Sequence, residues 1–204
     1  VILTETHFYN DGQESLRYTY VEGLRNGIRK GFHKNGLIKS KVYYVNDLKE
    51  GPEEKYSEEE NGGLILRVNY KNGIKEGLQE TFSKYNSKYL TSRVIFKDGK
   101  KEGLEENFFL NGKVKSSWNY LNGKLHGWST SYDENGNNEW TTKYLNGNKS
   151  GPDREFYGNG ELKTERNYLE GKLSGFTRNW NLSGDLMENR CYFDGRPHDK
   201  KYCE

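Results

Sequence analysis

The chain is short of almost everything a compact enzyme is built from. Of its 204 residues only 31% are apolar, with one methionine and three prolines, and mean hydropathy is −1.12. No run approaches the roughly 18 to 20 apolar residues that a spanning helix needs. The 3.6-residue period is missing, and glycine or proline interrupts every candidate helical window. Charge of one sign is also lacking: 32 Lys and Arg against 30 Asp and Glu leave a net of +2, with both signs mixed along the chain. That excludes the broad basic footprint of a nucleic-acid binder. Only two cysteines occur, Cys191 and Cys203, and neither CxxC spacing nor a nearby histidine points to a metal site. Two readings of them stay open: a disulfide tying the tail to the last hairpin in an oxidising compartment, or two free thiols. Val1-Ile2-Leu3-Thr4 is too short for a signal peptide, and the missing initiator methionine implies that a tag, a signal or a domain once preceded it.

What is there is periodicity. An aromatic residue recurs at Tyr20, Tyr44, Tyr70, Phe96, Tyr120, Tyr144, Tyr168 and Tyr192, in steps of 24, 26, 26 and then 24 throughout. A glycine follows in register at Gly27, Gly51, Gly77, Gly103, Gly127, Gly151 and Gly175, and a hairpin glycine at Gly12, Gly36, Gly62, Gly112, Gly136, Gly160 and Gly184. A fixed period in this range means a repeat array. Asn-Gly or Asp-Gly stands at six tips, as at Asn35-Gly36 and Asn111-Gly112, while the unit beginning at Phe82 has Ser87 and Lys88 instead; the dipeptide recurs between hairpins, as at Asn72-Gly73 and Asn122-Gly123. These dipeptides favour the positive φ of two-residue hairpin turns.

After each tip the residues alternate: Leu64, Leu66, Val68 and Tyr70, or Val114, Trp118 and Tyr120. Period two with one apolar face predicts half-buried antiparallel strands. Lys39, Lys41, Arg67, Arg93, Lys115, Lys163 and Glu165 are expected to point into water. The residue after the second glycine (Ile28, Leu78, Leu104, Trp128, Phe176) and the aromatic four later (Phe32, Tyr56, Phe82, Phe108, Tyr132, Phe156, Trp180) are expected to stack in ladders. The fold class that follows is all-β: an elongated, single-layer array of antiparallel β-hairpin repeats of about 24 residues. Residues 1–204 form one array, with 1–19 an N-terminal half-repeat or cap, 20–192 about seven hairpins, and 193–204 a C-terminal cap. Open edges at both ends allow a monomer or an end-to-end dimer.

The motif Tyr120-Leu121-Asn122-Gly123-Lys124-Leu125-His126-Gly127, followed by an aromatic, Asn-Gly and a second strand, resembles the MORN repeat, and its bacterial variant more closely than the eukaryotic one. The eukaryotic repeat has a further glycine and tryptophan where this chain has residues such as Glu105 and Glu106. The resemblance implies a rolled series of hairpins. Bacterial arrays of this kind are commonly labelled antitoxin or immunity proteins that neutralise a toxin; eukaryotic ones are linked to scaffolding, membrane apposition and phospholipid. No site motif comes with either, so no functional residue is carried over. The implied place is the bacterial cytoplasm, or the periplasm or exterior if Cys191 and Cys203 are bonded.

No nucleophile elbow, HExxH, P-loop or dinucleotide fingerprint occurs, and His7, His33, His126 and His198 fall at different places in different copies. The chain is therefore read as non-enzymatic, without cofactor or metal. Insertions in repeat arrays map to loops on one face, often the binding face. Two adjacent copies carry them, which singles out residues 57–63 with Glu58, Glu59 and Glu60, and residues 83–89 with Tyr85, as a contact for a protein partner, against the plain alternative of solvated loop tips. Trp140 replaces the small hydroxyl of Ser40, Ser92, Ser116 and Thr164, either as an exposed anchor or as a filler beside Trp118 and Trp128. The strip Lys39, Lys41, Arg67, Arg93, Lys115 and Lys143 suits an acidic partner or an anionic membrane, against the plain alternative of a solvated face.

Overall fold

The structure, a computed structural model, describes residues 1–59 and 62–203. Among them are nineteen β-strands and one 3-10 turn, Lys200–Tyr202, so the chain is all-β. It divides into two compact units, residues 1–101 and 102–204. The first holds β1 (Ile2–Phe8), β2 (Glu14–Val21), β3 (Leu24–Arg25), β4 (Gly27–Phe32), β5 (Ile38–Val45), β6 (Leu48–Tyr56), β7 (Leu64–Lys71), β8 (Ile74–Phe82) and β9 (Leu90–Lys97). The division falls within β10 (Lys100–Phe108). The second unit continues with β11 (Val114–Leu121), β12 (Lys124–Tyr132), β13 (Asn138–Leu145), β14 (Asn148–Phe156), β15 (Leu162–Leu169), β16 (Lys172–Leu173), β17 (Gly175–Trp180), β18 (Leu186–Phe193) and β19 (Arg196–His198). Within each unit successive strands pair antiparallel, except that the short β3 and the following β4 both lie against β2, and the short β16 and the following β17 both lie against β15.

The second glycine of each copy marks a bulge. Between β7 and β8, Val68 faces Gln79 and Tyr70 faces Lys75, so two steps on one strand span four on the other. Gly77 takes up the excess at φ +83, a conformation that costs a residue with a Cβ. An asparagine side chain bridges the gap: Asn69 donates to the Leu78 carbonyl at 3.3 Å, Asn119 to Trp128 at 2.7 Å and Asn167 to Phe176 at 3.1 Å.

The Asn-Gly dipeptides turn out to serve two different turns. Between hairpins both residues have positive φ, as at Asn72 (+49) and Gly73 (+79), the two-residue type expected. At the tips only the glycine does, as at Gly36 (+82). There His33 N–H bonds the Leu37 carbonyl and Gly36 N–H the His33 carbonyl, while the Asn35 carboxamide oxygen accepts from Leu37 N–H at 3.1 Å. The tips are thus longer loops with a glycine bulge, and asparagine serves them through its side chain.

Turns bind turns. Gly73 N–H donates to the Lys49 carbonyl and Gly99 N–H to that of Lys75, and the carboxylates of Glu50, Glu76 and Glu102 accept from Asn72, Asp98 and Asn122 N–H at 2.7 to 2.9 Å. At the tip side, Tyr9 and Tyr157 hydroxyls donate to the Phe32 and Trp180 carbonyls. Each bond spans about one repeat, so a hairpin is held by its neighbours rather than by its own few contacts.

The sheet has a covered and an open face. Val42, Val68 and Val94 lie on the covered one, at most 3% exposed, with the recurring aromatics two residues on. Cations complete it: Arg25 lies over Tyr44, Lys49 over Tyr70, Lys75 over Phe96 and Lys149 over Tyr168, at 4.6 to 4.9 Å. The lysine stems cover the rings while their heads bond a polar residue four further on: Lys49 to Glu53 at 2.5 Å, Lys75 to Gln79 at 2.9 Å, Lys149 to Asp153 at 3.1 Å; Arg25 bonds Asp47 instead, at 2.8 Å. A chain so poor in aliphatics builds its core this way.

Two expectations about faces need correcting. The residue after the second glycine sits on the open face, with Ile28, Leu78, Leu104 and Trp128 each about 40 to 46% exposed. The aromatic four later stays on that open face: the Tyr56 ring lies 5.1 Å from the Lys41 ammonium and its hydroxyl donates to Glu54 at 2.6 Å, both members of the open-face charge row. The basic strip does not stand alone in water either. Register places Lys41 against Glu54, Glu54 against Arg67, Arg67 against Glu80 and Glu80 against Arg93. In the second unit Glu165 lies between Arg154 (2.9 Å) and Arg178 (3.5 Å), and Lys163 bonds Glu155 at 2.6 Å.

At the ends, β1 gives the N-terminal hairpin its full first strand. At the other end β19 pairs with β18, and a disulfide joins Cys191 to Cys203, whose Cα atoms are 5.9 Å apart. The His198 ring lies between those of Phe193 and Tyr202.

Candidate functional site

The two inserted tips meet. Ser57, buried at the base of the first, donates from its hydroxyl to the Lys84 carbonyl of the second at 2.9 Å and accepts from Glu59 N–H at 3.1 Å. Gly63 lies so close to Ser87 that a Cβ there would come within 2.7 Å of its hydroxyl oxygen. Between them is a cleft of about 310 Å³ lined by Ser57, Glu59, Gly63, Lys84, Tyr85, Asn86 and Ser87. Tyr85 is 77% exposed, and the Lys84 ammonium lies 4.7 Å from its ring. Glu58 is exposed beside His33, whose Nδ1 is 3.9 Å from the carboxylate and whose Nε2 meets the Tyr56 carbonyl at 3.0 Å. Glu60 and Asn61 lie outside the described residues. Sequence reasoning named the glutamates and Tyr85; Ser57 and Ser87, which bring the loops together, carried no signal of their own.

Arg67 and Arg93 do not join this cleft. Arg67 lies 3.4 Å from Glu54 and 3.6 Å from Glu80, and Arg93, across from Glu80, is likewise partnered. Both belong to the alternating charge row of the open face.

Trp140 lies on the covered face, half-buried. Its indole N–H donates to Asp153 Oδ1 at 2.9 Å, its ring is 5.9 Å from that of Trp118, and Lys149 stands 5.7 Å from it. Asp153, 2% exposed, also accepts from the Thr142 hydroxyl and from Lys149, and pairs with Arg166 at 3.5 Å. One carboxylate thus gathers four donors. Aligning the copies would have shown its column, two residues after the second glycine (Arg29, Glu53, Gln79, Glu105, Ser129, Asp153, Thr177), to be polar throughout. In Glu53, burial pushes the carboxyl up, but the bonded Lys49 ammonium more than offsets it and leaves the group below its ordinary range.

Above Trp140 opens a depression of about 460 Å³, lined by Ser131, Asp133, Asn138, Glu139, Trp140, Glu155, Phe156, Tyr157 and Gly158. Bonds from the Asn137 amide and from the N–H groups of Asn135, Gly136 and Asn137 hold the Asp133 carboxyl below its usual range. Among the described residues no group of three or more His, Cys, Asp or Glu is placed to hold a metal ion, and no helix is long and apolar enough to cross a membrane.

No family model and no curated protein matches the chain. Among solved structures it is similar to a mutant of S. aureus TarM in complex with fondaparinux, alpha-GlcNAc-glycerol and UDP, at 10% identity over 67% of this chain, with a TM-score of 0.27. The chain spans 21% of that protein's length, and the likeness is too slight to carry an argument.

Proposed function

We propose that the chain is a non-enzymatic, MORN-like β-repeat protein that binds another protein through its inserted tips. Bacterial immunity or antitoxin activity against a toxin is the most concrete version. The observation that carries the reading is the cleft lined by Ser57, Glu59, Gly63 and residues 84–87, where the exposed Tyr85 shares the lining with the exposed Glu59 of the neighbouring tip. Tyrosine offers large contact area at small conformational cost, and surrounding charges give orientation. Function needs no cofactor on this reading, since a repeat surface acts by shape and charge.

The alternative, a surface-exposed or membrane-associated scaffold contacting phospholipid, draws less support. Its attraction was the basic strip, and the first unit interleaves that strip with Glu54 and Glu80. Affinity capture from extracts of the source cell tests the proposal, with the native chain and a Glu58→Lys, Glu59→Lys, Tyr85→Ala variant as paired baits. A single stoichiometric protein lost with the variant is the expected result. Recovery of anionic lipid, or of no protein with either bait, would overturn it.

A further inference from the structure

The copy that holds Trp140 departs from its neighbours at three places at once. Where the two flanking copies have an aromatic residue, Phe109 and Tyr157, this one has Asp133. Where they have Lys115 and Lys163, it has Glu139, and Trp140 stands where they have Ser116 and Thr164. In the flanking copies the lysine ammonium lies against the aromatic, Lys115 at 5.7 Å from the Phe109 ring and Lys163 at 5.9 Å from that of Tyr157. The fold therefore shows what suits this place: a cation against a ring. In the Trp140 copy the chain's own cation is replaced by carboxylates, and a depression opens there with Trp140, Phe156 and Tyr157 as walls and Asp133, Glu139 and Glu155 around them. The positive groups close by are already engaged, Lys163 with Glu155 and Lys149 with Asp153.

We infer that this depression receives a basic side chain, arginine above all, from the protein partner. A guanidinium stacks on an aromatic face and forms an ion pair with a carboxylate at the same time; a saccharide can stack and donate hydroxyls there but brings no positive charge, and an acidic group is repelled. Asp133, Glu139 and Glu155 line the depression and, among the described residues, only Glu155 has an ammonium partner, Lys163, so a net negative charge remains and charge complementarity selects the occupant. The inference rests on the protein-binding reading, and it places a second contact in the second unit, apart from the inserted tips.

The test titrates the whole chain with the blocked peptide Gly-Gly-Arg-Gly-Gly and with its citrulline counterpart, which is neutral and nearly the same shape. The readout is the Trp140 indole N–H resonance, assigned with Trp140→Phe. Glu139→Lys restores the residue that the flanking copies carry, so it is expected to fold, and an unchanged amide spectrum away from the site confirms that. A saturable shift with arginine alone, weakened at least about ten-fold by Glu139→Lys, is the expected result. Equal response to citrulline, indifference to Glu139→Lys, no shift up to the peptide's solubility limit, or a shift with cellobiose in place of the peptide would each overturn it. None of these outcomes bears on the capture experiment, whose variants leave Glu139 untouched.

Discussion

Asp153→Ala isolates the buried carboxylate on which four donors converge. Its removal leaves the half-buried Trp140 N–H without its acceptor and the Lys149 ammonium, 32% exposed, without its carboxylate. Breaking a buried pair by deleting one partner costs about 3 kcal/mol or more, because a charge is left uncompensated. With a urea slope of about 1.5 kcal/mol/M for a unit of this size, the midpoint should fall by about 2 M. Trp118, Trp128, Trp140 and Trp180 all lie in residues 102–204, so tryptophan emission reports that unit alone. Asp153→Asn keeps the shape and an acceptor but not the charge, and should fall between. Gln79→Ala removes the uncharged counterpart bonded to Lys75 and should cost about 1 kcal/mol, read by circular dichroism. An Asp153→Ala midpoint within about 0.3 M of the parent would refute the assignment of Asp153 as the organising charge.

Gly77→Ala, at a bulge with φ +83, should cost about 1 kcal/mol, whereas Gly158→Ala, with ordinary φ and open space around it, should be near neutral in the same urea assay. Burial first, and then the Glu105 carboxylate, push the Tyr120 phenol up to about 12 from 10.0. The folded chain thus holds a proton that the unfolded chain releases, so this contribution is present below pH 10 and lost as pH rises toward about 12; the late part of the phenolate absorbance titration, to which the raised Tyr56, Tyr70 and Tyr144 also contribute, should lose one tyrosine in Tyr120→Phe. Reducing the Cys191 to Cys203 bond, which closes a separation of 12 residues, should cost about 3 kcal/mol by chain entropy, seen as early proteolysis of the tail. Arg67→Glu, set between Glu54 and Glu80, should cost no more than about 1 kcal/mol because the row is solvent-screened, a difference small enough to vanish in high salt.

The hairpins, the glycines that punctuate them and the all-β class were legible because period-two alternation and turn residues are local signals. The two turn types were not, since Asn35-Gly36 and Asn72-Gly73 read identically and only the bulge beside each tip tells them apart. The strip of Lys41, Arg67 and Arg93 read as basic because its neutralising partners, Glu54 and Glu80, lie on other strands and meet it only through register. Asp153 and Glu53 drew no reading from the sequence, since a single carboxylate in a strand carries no local signal of burial; each is bonded by the lysine whose stem lies over the next copy's aromatic, a contact between repeats. Trp140 was visible as a departure, and its companions Asp133 and Glu139 become visible when the copies are laid over one another.

The account turns on where a partner touches the chain, and hydrogen exchange of the chain alone against the chain saturated with its captured partner measures that directly. It predicts that amides of residues 57–59, 62–63 and 84–87 gain the strongest protection. Unchanged exchange there, with protection confined to the turns between hairpins, would contradict it.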